Sequence, residues 1–339
     1  MRIDPGLRAL RGKAAPQRQA QEALYAARDI WRERPEWREL GEAFAAYGAG
    51  DALQSSEPLS RLFTWKGHAE SLARAFVAHF LPAMGAAPMG QFPSRYVVNG
   101  SVSTLLLASA GRAVLSLVVL DGNLLASRPA AQCVSLAEGE RHEIVLAGRA
   151  TGSKVTALAV TGNHADLATE PHIWAPGVRL SMDTAREAVL VDDVKGALVS
   201  LRLMRMAANP GPTRDYALAD GALVHQSAGD ARESRLELML ALLGRMGRRD
   251  AAPAIARMAV EGGGAQALTA PPGLRWQALR ECLALDTREG FHALCAVARD
   301  TGDPLAGPAG ALRAQLLESH PVLGRLMAEW EEQEAVCPA

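Results

Sequence analysis

Apolar and polar residues alternate along this chain in two rhythms, and the change falls near Ser227. From about Pro93 to that point, short apolar runs are cut by two-residue turn signals: Asn99-Gly100, Asp121-Gly122, Lys195-Gly196 and Asp220-Gly221. Beyond it, apolar residues recur every three or four positions, in paired blocks broken by Gly, Asp and Pro. The first rhythm predicts a β meander and the second predicts stacked helical hairpins.

Ahead of both, to about Met84, the pattern is helical. Pro16 fits a first turn, and Ala20, Leu24, Ala27 and Ile30 follow at helical spacing with Trp31 beside them. Pro35 ends that helix. A second runs from Glu36 to about Tyr47, where Gly48 and Gly50 stop it. A third covers about Gly67–Phe80, with Leu72, Ala75, Phe76 and Phe80 as its stripe and Pro82 as its stop. Met84–Pro93 holds Gly85, Pro88, Gly90 and Pro93 and reads as a linker.

In the β part, Tyr96–Val98 and Val102–Ala108 make a hairpin about Asn99-Gly100, a pair suited to the two positive-φ positions of a type I′ turn. Val114–Leu120, Asp121-Gly122 and Leu124-Leu125 repeat the device. Further strands are expected at Cys133–Leu136, Glu143–Leu146, Val155–Val160, Val189–Val191, Ala197–Met206 and Ala222–His225. In Ala197–Met206, Val199, Leu201 and Leu203 alternate with Ser200 and Arg202, the pattern of a strand with one buried face. Such spacing argues for a sandwich or small barrel.

The C-terminal blocks place Leu236, Met239, Leu240 and Leu243 on one stripe, then Ile255 and Met258 on a second helix. Leu274, Ala278, Cys282 and Leu285 follow, with a turn at Asp286-Thr287 and then Phe291, Leu294 and Val297. Leu312 and Leu316, a turn around Ser319–Pro321, and Leu323, Leu326 and Trp330 make the third block. Over Arg235–Trp330 the blocks resemble HEAT-type repeats, above all at Leu242–Pro253, with its Leu-Leu-Gly, basic turn, Asp250 and Pro253. The second block lacks the matching Gly and Pro, and the third has Pro321 without the Gly. The resemblance implies a helical stack used for protein binding and implies no catalytic residues. The fold expected is α+β: a helical N-terminal segment over 1–84, an antiparallel β sandwich or barrel over 90–228, and a HEAT-like α-helical hairpin stack over 232–333.

Composition changes this picture little. A chain of 339 residues, 49% of them hydrophobic, has room for about two domains with cores of their own. A formal charge of −1 gives no net field to draw DNA or anionic lipid. The four cysteines, Cys133, Cys282, Cys295 and Cys337, form no C-x-x-C pair and read as free thiols in a reducing compartment. No apolar h-region follows the N-terminal charges, and no run reaches membrane-span length. A cytoplasmic protein is expected.

Candidate chemistry is sparse. A cupin-type barrel would offer H-x-H and a nearby Glu on one strand face, and no H-x-H occurs. His142 and Glu143 are adjacent, so a strand would point them apart. His164 and His172 flank an expected loop and would converge there with Asp166, against the plainer reading of surface histidines. No nucleophile elbow is present, and Gly262-Gly263-Gly264 is a link rather than a phosphate loop. Asp192-Asp193 reads as part of a hairpin turn. Arg245, Arg248 and Arg249 crowd one inter-helix turn, which suits a solvated corner or a contact for an acidic partner; without interleaved aromatics it does not suit nucleic acid. Trp31, Trp37 and Tyr47 are helix packing or, if exposed, partner anchors. Glu329, Glu331, Glu332 and Glu334 make an acidic end.

The leading expectation is a non-catalytic protein-binding or adaptor protein, or an accessory subunit of an enzyme, with no cofactor. Arg245, Arg248, Arg249, Trp31 and Trp37 would carry its partner contacts. The alternative is a small-ligand or metal-binding enzyme with a cupin-like β barrel, holding a transition metal through His142, His164, Asp166 and His172. A second alternative is a nucleic-acid-associated repeat protein.

Overall fold

The computed structural model describes residues 14–260 and 270–328. Gly262-Gly263-Gly264, Trp330, the acidic end and Cys337 lie outside the described residues. The chain divides into two compact units, Met1–Gln226 and Ser227–Ala339. The fold is α+β, with helices and antiparallel sheets.

The first unit opens with helices α1 (Ala15–Glu33), α2 (Pro35–Ala49), the single turn α3 (Glu57–Ser60) and α4 (Lys66–Ala86). Pro16 and Pro35 stand in the first turns of α1 and α2, where a missing N–H costs nothing. Gly50, at φ 143°, closes α2. Gly48 does not stop that helix; it lies inside it, buried, where a Cβ would stand 2.1 Å from the Ala110 carbonyl oxygen. Its role is close approach of helix to sheet. Nor does Pro82 stop α4, which runs on to Ala86 with Pro82 inside it.

Ten strands follow: β1 (Tyr96–Asn99), β2 (Val102–Ala110), β3 (Ala113–Asp121), β4 (Cys133–Leu136), β5 (Gly139–Thr161), β6 (His164–Trp174), β7 (Arg179–Asp183), β8 (Glu187–Met206), β9 (Thr213–Ala217) and β10 (Leu223–Ser227). Seven form one antiparallel sheet in the order β1-β2-β3-β8-β5-β6, with β7 also on β5; β10-β9-β4 form a second. The turn signals do different jobs from those their residue pairs suggest. Asn99 pairs with Val102, so Gly100 is the first loop residue, and it alone there has positive φ, the pattern of a type II′ turn rather than I′. The Asp121 carboxylate accepts from Asn123 N and Leu124 N at 2.8 and 3.1 Å, capping a helical turn, α5 (Gly122–Ala126), in place of a hairpin. Gly196, at φ 75°, sits within β8 where its register with β5 shifts. It bends one long strand instead of separating two, as Gly148 does within β5. Asp220-Gly221 makes the expected turn, between β9 and β10, and the hairpin expected about Asn99-Gly100 joins β1 to β2.

The helices cover one face of the larger sheet. Trp31, Leu40, Phe44, Tyr47, Phe76 and Phe80 share a core with Leu115, Leu117, Ile144, Leu201 and Leu203 of β3, β5 and β8. The N-terminal segment is thus one layer of the same unit. On the other face, Val145, Trp174, Leu180 and Leu198 form a smaller cluster, and the short sheet closes over the far end of β5 and β6 through Val134, Tyr216, Val155 and Ala165.

The second unit comprises α6 (Ala231–Arg245), α7 (Ala252–Val260), α8 (Pro272–Leu285), α9 (Thr287–Arg299) and α10 (Ala306–Ser319). Its core contains Leu240, Ile255, Leu274, Ala278, Cys282, Leu285, Phe291, Leu294, Val297 and Leu323. Asp230 and Asp286 cap α6 and α9 by accepting from two backbone N–H groups each. Met239 departs from its expected stripe: it is exposed, as are Leu238, Leu242 and Met246. Arg275 is buried, its guanidinium paired with Asp303 and donating to the Ala259 carbonyl at 2.8 Å. Among the described residues, no helix is long and apolar enough to cross a membrane.

Candidate functional site

Strand β5 begins with four titratable side chains in a row: Glu140, Arg141, His142 and Glu143. Because successive strand residues point to opposite faces, Glu140 and His142 turn towards the helical layer, and Arg141 and Glu143 turn away from it. Register with β8 places Arg202 opposite Glu143 and Ser200 opposite Val145, on that second face.

There Glu143 is 2% exposed and fully engaged. Ser200 Oγ donates to its Oε1 at 2.6 Å; Arg202 Nε and Arg141 Nε donate to its Oε2 at 2.9 and 2.8 Å. Burial alone would raise its pKa, but the two guanidiniums and the Ser200 hydroxyl outweigh it and hold the carboxyl at about 2. Burial, with Arg202 nearby, lowers Arg141 to about 10, which leaves it charged at neutral pH.

This network forms part of the wall of an open cleft of about 660 Å³. Apolar wall is supplied by Val118, Leu125, Trp174, Val189 and Leu198, with Arg128, Ser101 and Asp192 also on the lining. The exposed Arg128 approaches Ser101 Oγ at 3.5 Å. Three guanidiniums (Arg128, Arg141 and Arg202) face two carboxylates (Glu143 and Asp192), so one positive charge is left over. A pocket that joins apolar side chains to fixed polar groups is what a small-molecule site requires.

The residues singled out for a metal do not meet. Residues 164–172 are strand β6, not a loop. His164 and His172 are eight residues apart on it, about 26 Å of extended chain, too far to share an ion. His172 packs edge-on against Trp174, with ring centroids 4.5 Å apart, while His164 and Asp166 are exposed. On β5, ten residues separate His142 from Gly152, the partner of His172. Among the described residues, no three His, Cys, Asp or Glu side chains gather as a metal would need.

The residues singled out for a partner are also placed. Trp31 and Trp37 are 4% and 9% exposed and pack against each other at a tilt, ring centroids 5.4 Å apart, so neither offers its ring as an anchor. Arg245, Arg248 and Arg249 are exposed, but Arg248 already makes a bidentate pair with Asp250 at 2.8 and 2.7 Å.

Sequence reasoning missed Arg141, Glu143, Ser200, Arg202 and Arg128 as a set. The alternation of Ser200 and Arg202 with Leu201 and Leu203 was visible, but it points equally to solvent. Ser200 is 2% exposed, so the polar face of β8 is itself covered.

No protein-family model and no curated protein matches the chain. Among solved structures it is similar to Fe(II) HppE (12% identity, TM-score 0.25, covering 33% of this chain and 56% of that one). It is similar also to the CENP-C cupin domain of Drosophila melanogaster (7%, TM-score 0.25, covering 33% and 74%) and to ectoine synthase from P. lautus (10%, TM-score 0.21, covering 32% and 67%). The chain thus spans little more than half of HppE. Resemblance at this level carries no information on ligand or chemistry.

Proposed function

We propose that the first unit is a receptor for a small organic anion, held in the cleft beside Arg141, Glu143 and Arg202. The observation that carries this is the Glu143 network itself: a buried carboxylate fixing two guanidiniums in the wall of an open cleft lined largely by apolar side chains. Both arginines keep N–H donors not used on Glu143, since a guanidinium has five. A ligand carboxylate would meet these donors and Arg128, and its apolar body would lie against Leu125, Trp174 and Leu198. The cleft is within the size range of ordinary small-molecule sites. This favours the small-ligand reading of the β part over an adaptor. It does so without a metal, because the histidines lie elsewhere.

The test is thermal melting of the full chain against straight and branched monocarboxylates of about four to eight carbons, with the matching alcohols as controls. A ligand present at about 100 times its Kd adds about 2.7 kcal/mol to stability, which raises Tm by several degrees. Acids that stabilise while their alcohols do not support the reading. No shift with any acid would refute it. For the second unit, we propose the HEAT-like stack implied by its blocks; the consecutive helices α6 to α10 around one core support it.

A further inference from the structure

On the opposite face of β5, Glu140 and His142 meet a hydroxyl. Ser181 on β7 is registered directly against His142, and its Oγ lies 3.0 Å from His142 Nδ1. The ladder explains the closeness. Just beyond the two ends of β7, Thr184 N donates to the Gly139 carbonyl and Val145 N to the Val178 carbonyl, which by alternation gives the even-numbered residues between them the bonds to β5. Ser181 and His142 are then a non-hydrogen-bonded pair, the kind whose side chains approach most closely. By the same alternation the Ser181 N–H points away from β5, along the edge where β7 has no strand neighbour. On the other side of the ring, His142 Nε2 is buried without a hydrogen-bond partner, 3.6 Å from Glu140 Oε2. Glu140 is anchored in turn by an ion pair to Arg205, which lies over the Tyr47 ring at 4.1 Å and donates to the Tyr47 and Asp51 carbonyls. Ser181 is exposed, and with His142, Glu140, Arg112 and Asp183 it lines a shallow pocket of about 440 Å³.

We propose that Ser181, His142 and Glu140 form a nucleophilic site that hydrolyses small carboxylic esters: Ser181 is the nucleophile, His142 the base, and Glu140 a positioning residue. The order is that of an activated serine, with a base in hydrogen-bond reach of the hydroxyl and a carboxylate 3.6 Å from the other ring nitrogen. Burial lowers the His142 pKa, with Glu140 opposing and Arg205 reinforcing the fall, so the ring is neutral and able to accept a proton at pH 7. The Tyr47 ring lies edge-on to His142, with centroids 6.5 Å apart, and its hydroxyl stays protonated, since burial and Glu140 push its pKa up. In the first half-reaction Ser181 Oγ bonds to the acyl carbon, and its proton passes to His142 Nδ1. The carbon–oxygen bond to the alcohol then breaks, and the alcohol takes that proton. In the second, water attacks the acyl carbon, gives its proton to Nδ1, and the acyl–Oγ bond breaks as Oγ recovers the proton. One ester and one water become one acid and one alcohol. The outward Ser181 N–H is placed to donate to the carbonyl oxygen as it becomes charged.

The test uses the full chain with a fluorophosphonate probe and with p-nitrophenyl acetate. Mass spectrometry should find the phosphonyl group on Ser181. Ester hydrolysis above the buffer rate should fall at least tenfold in Ser181→Ala, a change at an exposed position that leaves the core intact. Glu140→Gln should move the pH limb of phosphonylation to lower pH, because the imidazolium loses its carboxylate; a merely structural Glu140 would leave the limb in place. Absence of label on Ser181 in folded protein, or unchanged hydrolysis in Ser181→Ala, overturns the proposal.

Discussion

The two faces of β5 treat the same kinds of side chain differently. On the cleft face, Glu143 has its carboxylate engaged by Ser200, Arg202 and Arg141, and its pKa is held at about 2. On the helical face, Glu140 is a third exposed and His142 Nε2 has no hydrogen-bond partner. A carboxylate surrounded by donors is a fixed charge that holds its neighbours in place. A ring with an unsatisfied nitrogen and a serine on its other nitrogen is a group able to change protonation state. The difference follows from register: β8 presents Ser200 and Arg202 to one face and Leu201 and Leu203 to the other.

The sharpest way to break the comparison is Glu143→Ala. It removes a buried carboxylate from between two half-buried guanidiniums and should cost about 3 kcal/mol in chemical denaturation. Glu140→Ala, at a half-buried pair, should cost about 1 kcal/mol or less. Equal losses would mean the faces do not differ. Acid titration of stability comes next. Glu143 is lowered from 4.5 in the unfolded chain to about 2 in the folded one. Its contribution is therefore complete above about pH 4.5 and is lost as pH falls towards about 2, roughly 3 kcal/mol in all. Glu143→Gln should lack that limb. A smaller effect tests how closely the helical layer sits on the sheet. Gly48→Ala puts a methyl against the Ala110 carbonyl and should destabilise by about 1–3 kcal/mol, despite the better helix propensity of Ala. The smallest is Arg128→Ala, an exposed change expected to alter stability by under about 0.5 kcal/mol.

Much of the architecture was legible in the chain. The stripe Leu274, Ala278, Cys282 and Leu285 is buried throughout, and Asp286 caps the next helix, because helical spacing and an Asp before Thr287 are local signals. Cys133–Leu136 is a strand with the expected bounds. What local pattern cannot carry is pairing. Lys195-Gly196 resembles a turn, yet Gly196 bends one strand, and only the β5 register distinguishes the two. β7 and β9 are short and polar enough to escape notice, and β7 brings Ser181 to His142. The sites fared worst for the same reason. The Glu140–Glu143 run is plain in the sequence, but Ser200, Arg202, Ser181 and Tyr47 join it from strands and a helix distant along the chain. The histidines at 164 and 172 attracted attention by type alone, and strand geometry keeps them apart.

The most direct measurement is a calorimetric titration of the full chain with the most stabilising carboxylate, run in parallel on Arg128→Ala. An anion cleft predicts one saturable site per chain and at least tenfold weaker binding in the variant, with the melting temperature of the unliganded protein unchanged. Binding of equal strength in both proteins, or no saturable heat in either, would contradict it.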